Sequence, residues 1–219
     1  PLEKLKVWNT LQNHSPRRGR ELLVQSVLSY DPEFTPGSKT DTNSSSYVVL
    51  GWVLEKLTNF QWEELAKNKI IFDTGITRCH FGPLVNTKSE SIDNPLGHTL
   101  HQLNLISVKS YPIPLALAPA ESLSCSVREL GKLMKEINLG LYGSSSLLQE
   151  QTFTKLLGPT QDPKMTYAHF QVHNRVWAGG KTLTASSLDS LFTSHIVLAP
   201  AREMVFIVVV NSGTPKARE

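Results

Sequence analysis

The chain has 219 residues, 40% of them hydrophobic and 19% charged. That is ordinary globular composition with length for one sizeable core, and it excludes disordered, collagen-like and coiled-coil classes. A net charge of +3 with scattered basic residues argues against nucleic acid or an anionic membrane as partner, and no apolar run reaches the roughly 18 residues of a transmembrane helix.

Residues 1–16 show no clear pattern. Pro16 precedes a helix predicted over residues 17–29, with Leu22, Leu23, Val27 and Leu28 on one face. The short cluster Arg17-Arg18-Gly19-Arg20 reads as a solvated helix start. Pro36-Gly37 is turn chemistry. Asn43, Ser44 and Ser45 then offer caps to a helix over about 45–58. Tyr47, Leu50, Gly51, Leu54 and Leu57 form its expected apolar face, with Glu55 and Lys56 on the other side. A mid-helix glycine costs about 1 kcal/mol against alanine, so Gly51 predicts a close approach by another backbone.

A second helix is predicted over residues 61–69, turning Trp62, Leu65 and Ala66 inward. Residues 78–119 lack sustained periodicity and read as a long connection. Helices follow over about 126–137 and 146–157. The first is capped by Ser124 or Ser126 and carries a stripe of Leu130, Leu133, Met134 and Ile137. The period then switches to that of strands, over 167–177, 181–184, 191–198 and 204–210, with a hairpin turn at 199–203. Helices followed by consecutive antiparallel strands make an α+β chain.

Two cysteines, Cys79 and Cys125, are too few for a disulfide framework. A single bridge stays open, and buried free thiols are the default expectation. Asn13-His14-Ser15 and Asn43-Ser44-Ser45 are N-glycosylation sequons, which matter only in a eukaryotic secreted chain. His98 and His101, with Asp93 nearby, lack a cysteine or a helical ligand frame, so they read as polar loop residues and no metal is expected. The serine runs at 44–46, 124–126 and 144–146 sit in no Gly-x-Ser-x-Gly frame and read as caps. The chain starts at Pro1 without a methionine or leader. That predicts a removed leader or a piece of a longer protein.

Pro36-Gly37, Tyr47 and Val49-Leu50-Gly51 resemble the second motif region of the penicillin-binding-protein-like serine hydrolases. These are the class C β-lactamases, DD-peptidases and related esterases, where Pro-Gly leads to Tyr-Ser-Asn, a tyrosine and Leu-Leu-Gly. That frame puts Thr42, Asn43 and Ser44 where the family has Tyr-Ser-Asn. Gly75 and Thr77 match a family turn, and Phe81-Gly82-Pro83 and Asn94-Pro95-Leu96-Gly97-His98 resemble a loop that runs over the cleft in one subgroup. Asn211-Ser212-Gly213 ends the last strand as the family's Asn-x-Gly does. Counting back through the hairpin puts Ala185, Ser186 and Ser187 where His-Asn-Gly would lie. Lys181-Thr182-Leu183 only superficially resembles Lys-Thr-Gly, and Lys181 reads as a strand-edge lysine.

A hydrolase of this kind also needs Ser-x-x-Lys, so that one helical turn sets an amine beside the nucleophilic hydroxyl. No lysine here follows a serine by three residues; Thr152-Phe153-Thr154-Lys155 is the nearest match. The resemblance covers about residues 31–213. It implies an α+β, β-lactamase/transpeptidase-like fold: a helical lobe over about 17–157 packed on antiparallel strands over about 165–211, with a cleft between. The expectation is a single partial domain over residues 1–219, with the family's opening strands, nucleophile helix and closing helix outside it. No confident catalytic residue follows. Tyr47, His98 and Lys181 are cleft-lining candidates, no cofactor is implied, and the implied ligand is a small amide or ester. A non-catalytic or fragmentary member leads. The competing readings are an active hydrolase with its nucleophile upstream of Pro1 and a binding or scaffold protein.

Overall fold

The computed structural model describes residues 7–38, 43–82, 94–102, 104–108, 113–188 and 191–218. The fold is α+β, with two compact units: Pro1–Gly82 with Pro112–Ser124, and Pro83–Tyr111 with Cys125–Glu219. Thr42, Pro83 and Asp93, named above, lie outside the described residues.

The first unit is mainly helical. Helix α1 (Pro16–Leu28) starts where Ser15 accepts the Arg18 N–H and proline fills the first turn. Helix α2 (Ser44–Thr58) starts at the Asn43 cap and ends at Asn59, which takes the left-handed conformation (φ 60°). Leu23 and Val24 of α1, Val48 of α2, Leu11, Ala116 and Leu117 form one core. Helix α3 (Trp62–Ala66) opens with Gln61 donating its N–H to Glu64 at 3.1 Å. It runs on as a single π turn, Lys67–Ile71. Strand β1 (Cys79–Phe81) pairs with β4 (Leu123–Cys125).

Two expectations for this unit are corrected. Arg20 is fully buried, not part of a solvated helix start, and the buried face of α2 is Val48, Gly51 and Glu55. Leu50 and Leu57 are 55% and 78% exposed, whereas Glu55 is 1% exposed. The reason is one ion cluster. Arg20 donates Nη2 to Glu55 Oε1 at 2.8 Å and Nε to Oε2 at 3.2 Å. It also donates Nη2 to Glu63 at 2.9 Å and Nη1 to the Leu115 carbonyl at 3.2 Å. Glu55 in turn accepts the Trp62 N–H at 3.0 Å. Burial works against the Arg20 charge, but the bonds and charges of Glu55 and Glu63 outweigh it and raise its pKa. A buried guanidinium must be paired, so α2 rotates to present Glu55 and its leucines turn to solvent. Gly51 does mark a close approach, although by a side chain: a Cβ there would stand 2.4 Å from Cγ of Pro119.

The second unit is built on an antiparallel sheet in the order β5-β6-β7-β8: β5 (Gln171–Arg175), β6 (Gly180–Leu188), β7 (Thr193–Ala199) and β8 (Met204–Val210). Helix α4 (Val127–Gly140), capped by Ser126, carries Leu130, Leu133, Met134 and Ile137 as predicted. With Phe153 of α5 (Glu150–Leu156), they pack against Leu183, Ala185, Ile196, Leu198, Val205 and Ile207 of the sheet. Strand alternation sends Met204, Phe206 and Val208 to the opposite face, where they are exposed. Helix α5 starts later than expected: Ser145 and Ser146 bind the Glu136 carboxylate, Ser145 Oγ at 2.9 Å, and Ser145 Oγ accepts the Leu147 N–H at 3.2 Å ahead of the helix.

Residues 78–119 were expected to lack regular structure, yet β2 (Gly97–His101) and β3 (Asn104–Val108) form a hairpin. Leu100, Leu105 and Ile106 are all exposed. A ribbon whose leucines and isoleucine among the described residues face solvent leaves no apolar alternation for the sequence to announce. The expected free thiols are also corrected: Cys79 and Cys125 are both disulfide-bonded, in the paired strands β1 and β4. Strand pairing across that much chain is a tertiary fact that cysteine spacing does not carry.

Candidate functional site

The positions matched to the family's second motif lie at the start of α2. Asn43 has extended backbone, and its Oδ1 accepts the Ser46 N–H at 3.0 Å, the Ser45 hydroxyl at 2.6 Å and the Ser46 hydroxyl at 3.1 Å. One oxygen thus ends three donors, and its work is capping. The Ser44 hydroxyl donates to the Glu121 carboxylate. Tyr47, one turn on, is half-buried, and loss of solvent raises its phenol pKa. Glu121 did not stand out in the sequence. It lies 77 residues from Ser44, and nothing local marks it.

The positions matched to the third motif lie on β6 of the other unit. Ala185 pairs with Ile196 and packs into the core beneath the sheet. It contributes no proton donor or acceptor from its side chain. Ser186 stands opposite His195, its Oγ hydrogen-bonded to Nδ1 at 2.6 Å, and both are exposed. Ser187 is exposed opposite Ser194. Lys181 is exposed near the start of β6, opposite Asn174, while Leu183 is fully buried in the core. His195 also went unnoticed in the sequence; only the register of β6 on β7 brings it to Ser186.

The Asn211-Ser212-Gly213 segment ties the β2–β3 hairpin to the end of β8. Asn211 donates Nδ2 to the Leu96 carbonyl at 3.0 Å, and Gly213 donates its N–H to the His98 carbonyl at 3.0 Å. His98 donates Nδ1 to the Asn211 carbonyl at 2.8 Å, which fixes the protonated nitrogen and gives this imidazole an anchoring role. Among the described residues, no three His, Cys, Asp or Glu side chains gather to hold a metal. No helix of the described residues is long and apolar enough to cross a membrane.

A helical unit followed by an antiparallel four-stranded meander with α4 on one face is the β-lactamase/transpeptidase class of fold. A family model, Beta-lactamase, matches residues 3–219, and the chain belongs to that family. The solved structures it is similar to include a D-stereospecific amidohydrolase from Streptomyces, at TM-score 0.72 and 14% identity, covering 97% of this chain and 64% of that one. An octameric penicillin-binding protein homologue from Pyrococcus abyssi matches at TM-score 0.68 and 20% identity, covering 92% and 45%. A penicillin binding protein from Bacillus halodurans matches at TM-score 0.69 and 14% identity, covering 90% and 60%. The chain therefore spans less than two thirds of each of these proteins. No curated protein sequence matches it.

Proposed function

We propose that this chain is a non-catalytic part of a β-lactamase-related domain, one that holds a small amide or ester without cleaving it. The observation that carries this reading is the employment of the motif positions. Asn43 is committed to capping, the Ser44 hydroxyl donates a hydrogen bond to Glu121, and Ala185 lies in a core. Neither Asn43 nor Ala185 is placed as the base or proton relay that acylation of a serine requires, and the Ser186–His195 pair on β6 has no Ser-x-x-Lys lysine in this chain to act with. The absence of Ser-x-x-Lys from all 219 residues points the same way. In this reading the residues belong to a single domain larger than the chain.

The purified chain should show no turnover of β-lactam or short-chain ester reporters and should bind such ligands saturably. A covalent fluorescent-penicillin adduct, placed on any serine by mass spectrometry, overturns the proposal. A second reading is favoured by the coverage of the solved structures, of which the chain spans 45–64%. In it, a longer protein supplies the serine and hydrolyses an amide or ester. Turnover by that longer protein, lost when its Ser-x-x-Lys serine becomes alanine, would establish it.

A further inference from the structure

We propose that Asn13 carries an N-linked oligosaccharide, attached as the chain passes through the oxidising secretory compartment of a eukaryotic cell. Two independent observations meet here. The first is the disulfide-bonded state of Cys79 and Cys125. Such bonds form and persist in oxidising surroundings, the eukaryotic secretory pathway and the bacterial periplasm among them, and are rare in a reducing cytosol; of these, the sequon points to the first. The second is the sequon Asn13-His14-Ser15, placed at the surface by its local structure.

Asn13 ends a 3-10 turn, Trp8–Asn13, whose only buried residue is Leu11. Asn13, His14 and Ser15 are all exposed, and His14 has extended backbone. Among the described residues the Asn13 amide has no hydrogen-bond partner, so the glycosylated form gives up no contact between them. Ser15 Oγ accepts the Arg18 N–H, and that cap survives glycosylation of Asn13 because the sugar sits on a different side chain. The other sequon, Asn43-Ser44-Ser45, runs into the first turn of α2, and its Ser45 hydroxyl donates to Asn43 Oδ1 at 2.6 Å, so it lacks the extended, open stretch that follows Asn13.

The reaction is a group transfer from an oligosaccharide pyrophosphoryl lipid, made by the cell's own transferase. The Asn13 Nδ2 forms a bond to the sugar's anomeric carbon. The carbon–oxygen bond to the pyrophosphate breaks, the lipid pyrophosphate leaves with that electron pair, and one amide proton goes to base.

The test uses the protein isolated from its own source. Peptide-N-glycosidase release in heavy-oxygen water should convert Asn13 to a heavy-labelled aspartate, and direct alkylation without reduction should label neither cysteine. In the producing cell, Asn13→Gln should lose one glycan's mobility shift. Ser15→Thr, which keeps both the sequon and the cap, should retain it. An unmodified Asn13 peptide, label at Asn43 alone, or free thiols at Cys79 and Cys125 would each overturn the proposal.

Discussion

Arg20→Met is the substitution that most directly tests the ion cluster of the helical unit. Methionine keeps much of the stem's volume and removes every donor. Glu55 would then be a carboxylate at 1% exposure with the Trp62 N–H as its remaining partner of those described above. Removing one member of a buried pair costs about 3–5 kcal/mol, because the other charge is left uncompensated. At about 2–4 °C per kcal/mol for a chain of this size, the expected drop in Tm is roughly 6–20 °C. A second substitution separates this mechanism from lost packing. Adding Glu55→Leu should recover much of the loss, since apolar replacement of a whole buried pair is often neutral or better. The assay is urea unfolding of parent, single and double variants. An Arg20→Met protein within about 0.5 kcal/mol of the parent would refute the argument.

Glu63→Gln should cost less, about 1 kcal/mol, because Glu63 is 21% exposed and Glu55 still pairs Arg20; the same urea titration reads it. Gly51→Ala should destabilise by about 1–3 kcal/mol despite better helix propensity, because its Cβ would meet the Pro119 ring at 2.4 Å; a raised urea midpoint would contradict that packing. Reducing the disulfide should lower stability by about 2–4 kcal/mol, measured as the difference between oxidised and reduced unfolding curves. Glu21 has its carboxyl pKa lowered by bonds from Arg18 and Lys56. A depressed folded pKa gives stability that is present above the unfolded pKa and lost as pH falls through the folded one. Glu21→Gln should therefore lose that part of the acid-side slope and converge with the parent at low pH.

The start of α1 after Ser15, the span of α2, the stripe on α4 and the limits of β8 were legible in the sequence. Each is set within a few neighbouring residues, by a cap, a proline or an unbroken apolar period. Part of the family frame was legible for the same reason, since Pro36-Gly37 forms a local turn and Tyr47 lies in the first turn of α2. What the motif positions do was not. Ser44 finds its acceptor at Glu121, and Ser186 finds His195 only through strand register.

The inward face of α2 shows the division most plainly. Counted alone, its leucines make the better apolar stripe, and the sequence by itself determines that a helix forms there. Which side turns inward depends on Arg20, 35 residues away along the chain. Leaving a guanidinium unpaired in a core costs more than exposing a few leucines, so the tertiary structure decides for Glu55. The pairing of β1 with β4 and the disulfide state of Cys79 and Cys125 were decided in the same way. They depend on which distant segments meet, and hydrophobic period and cap chemistry report only on segments that are neighbours in the chain.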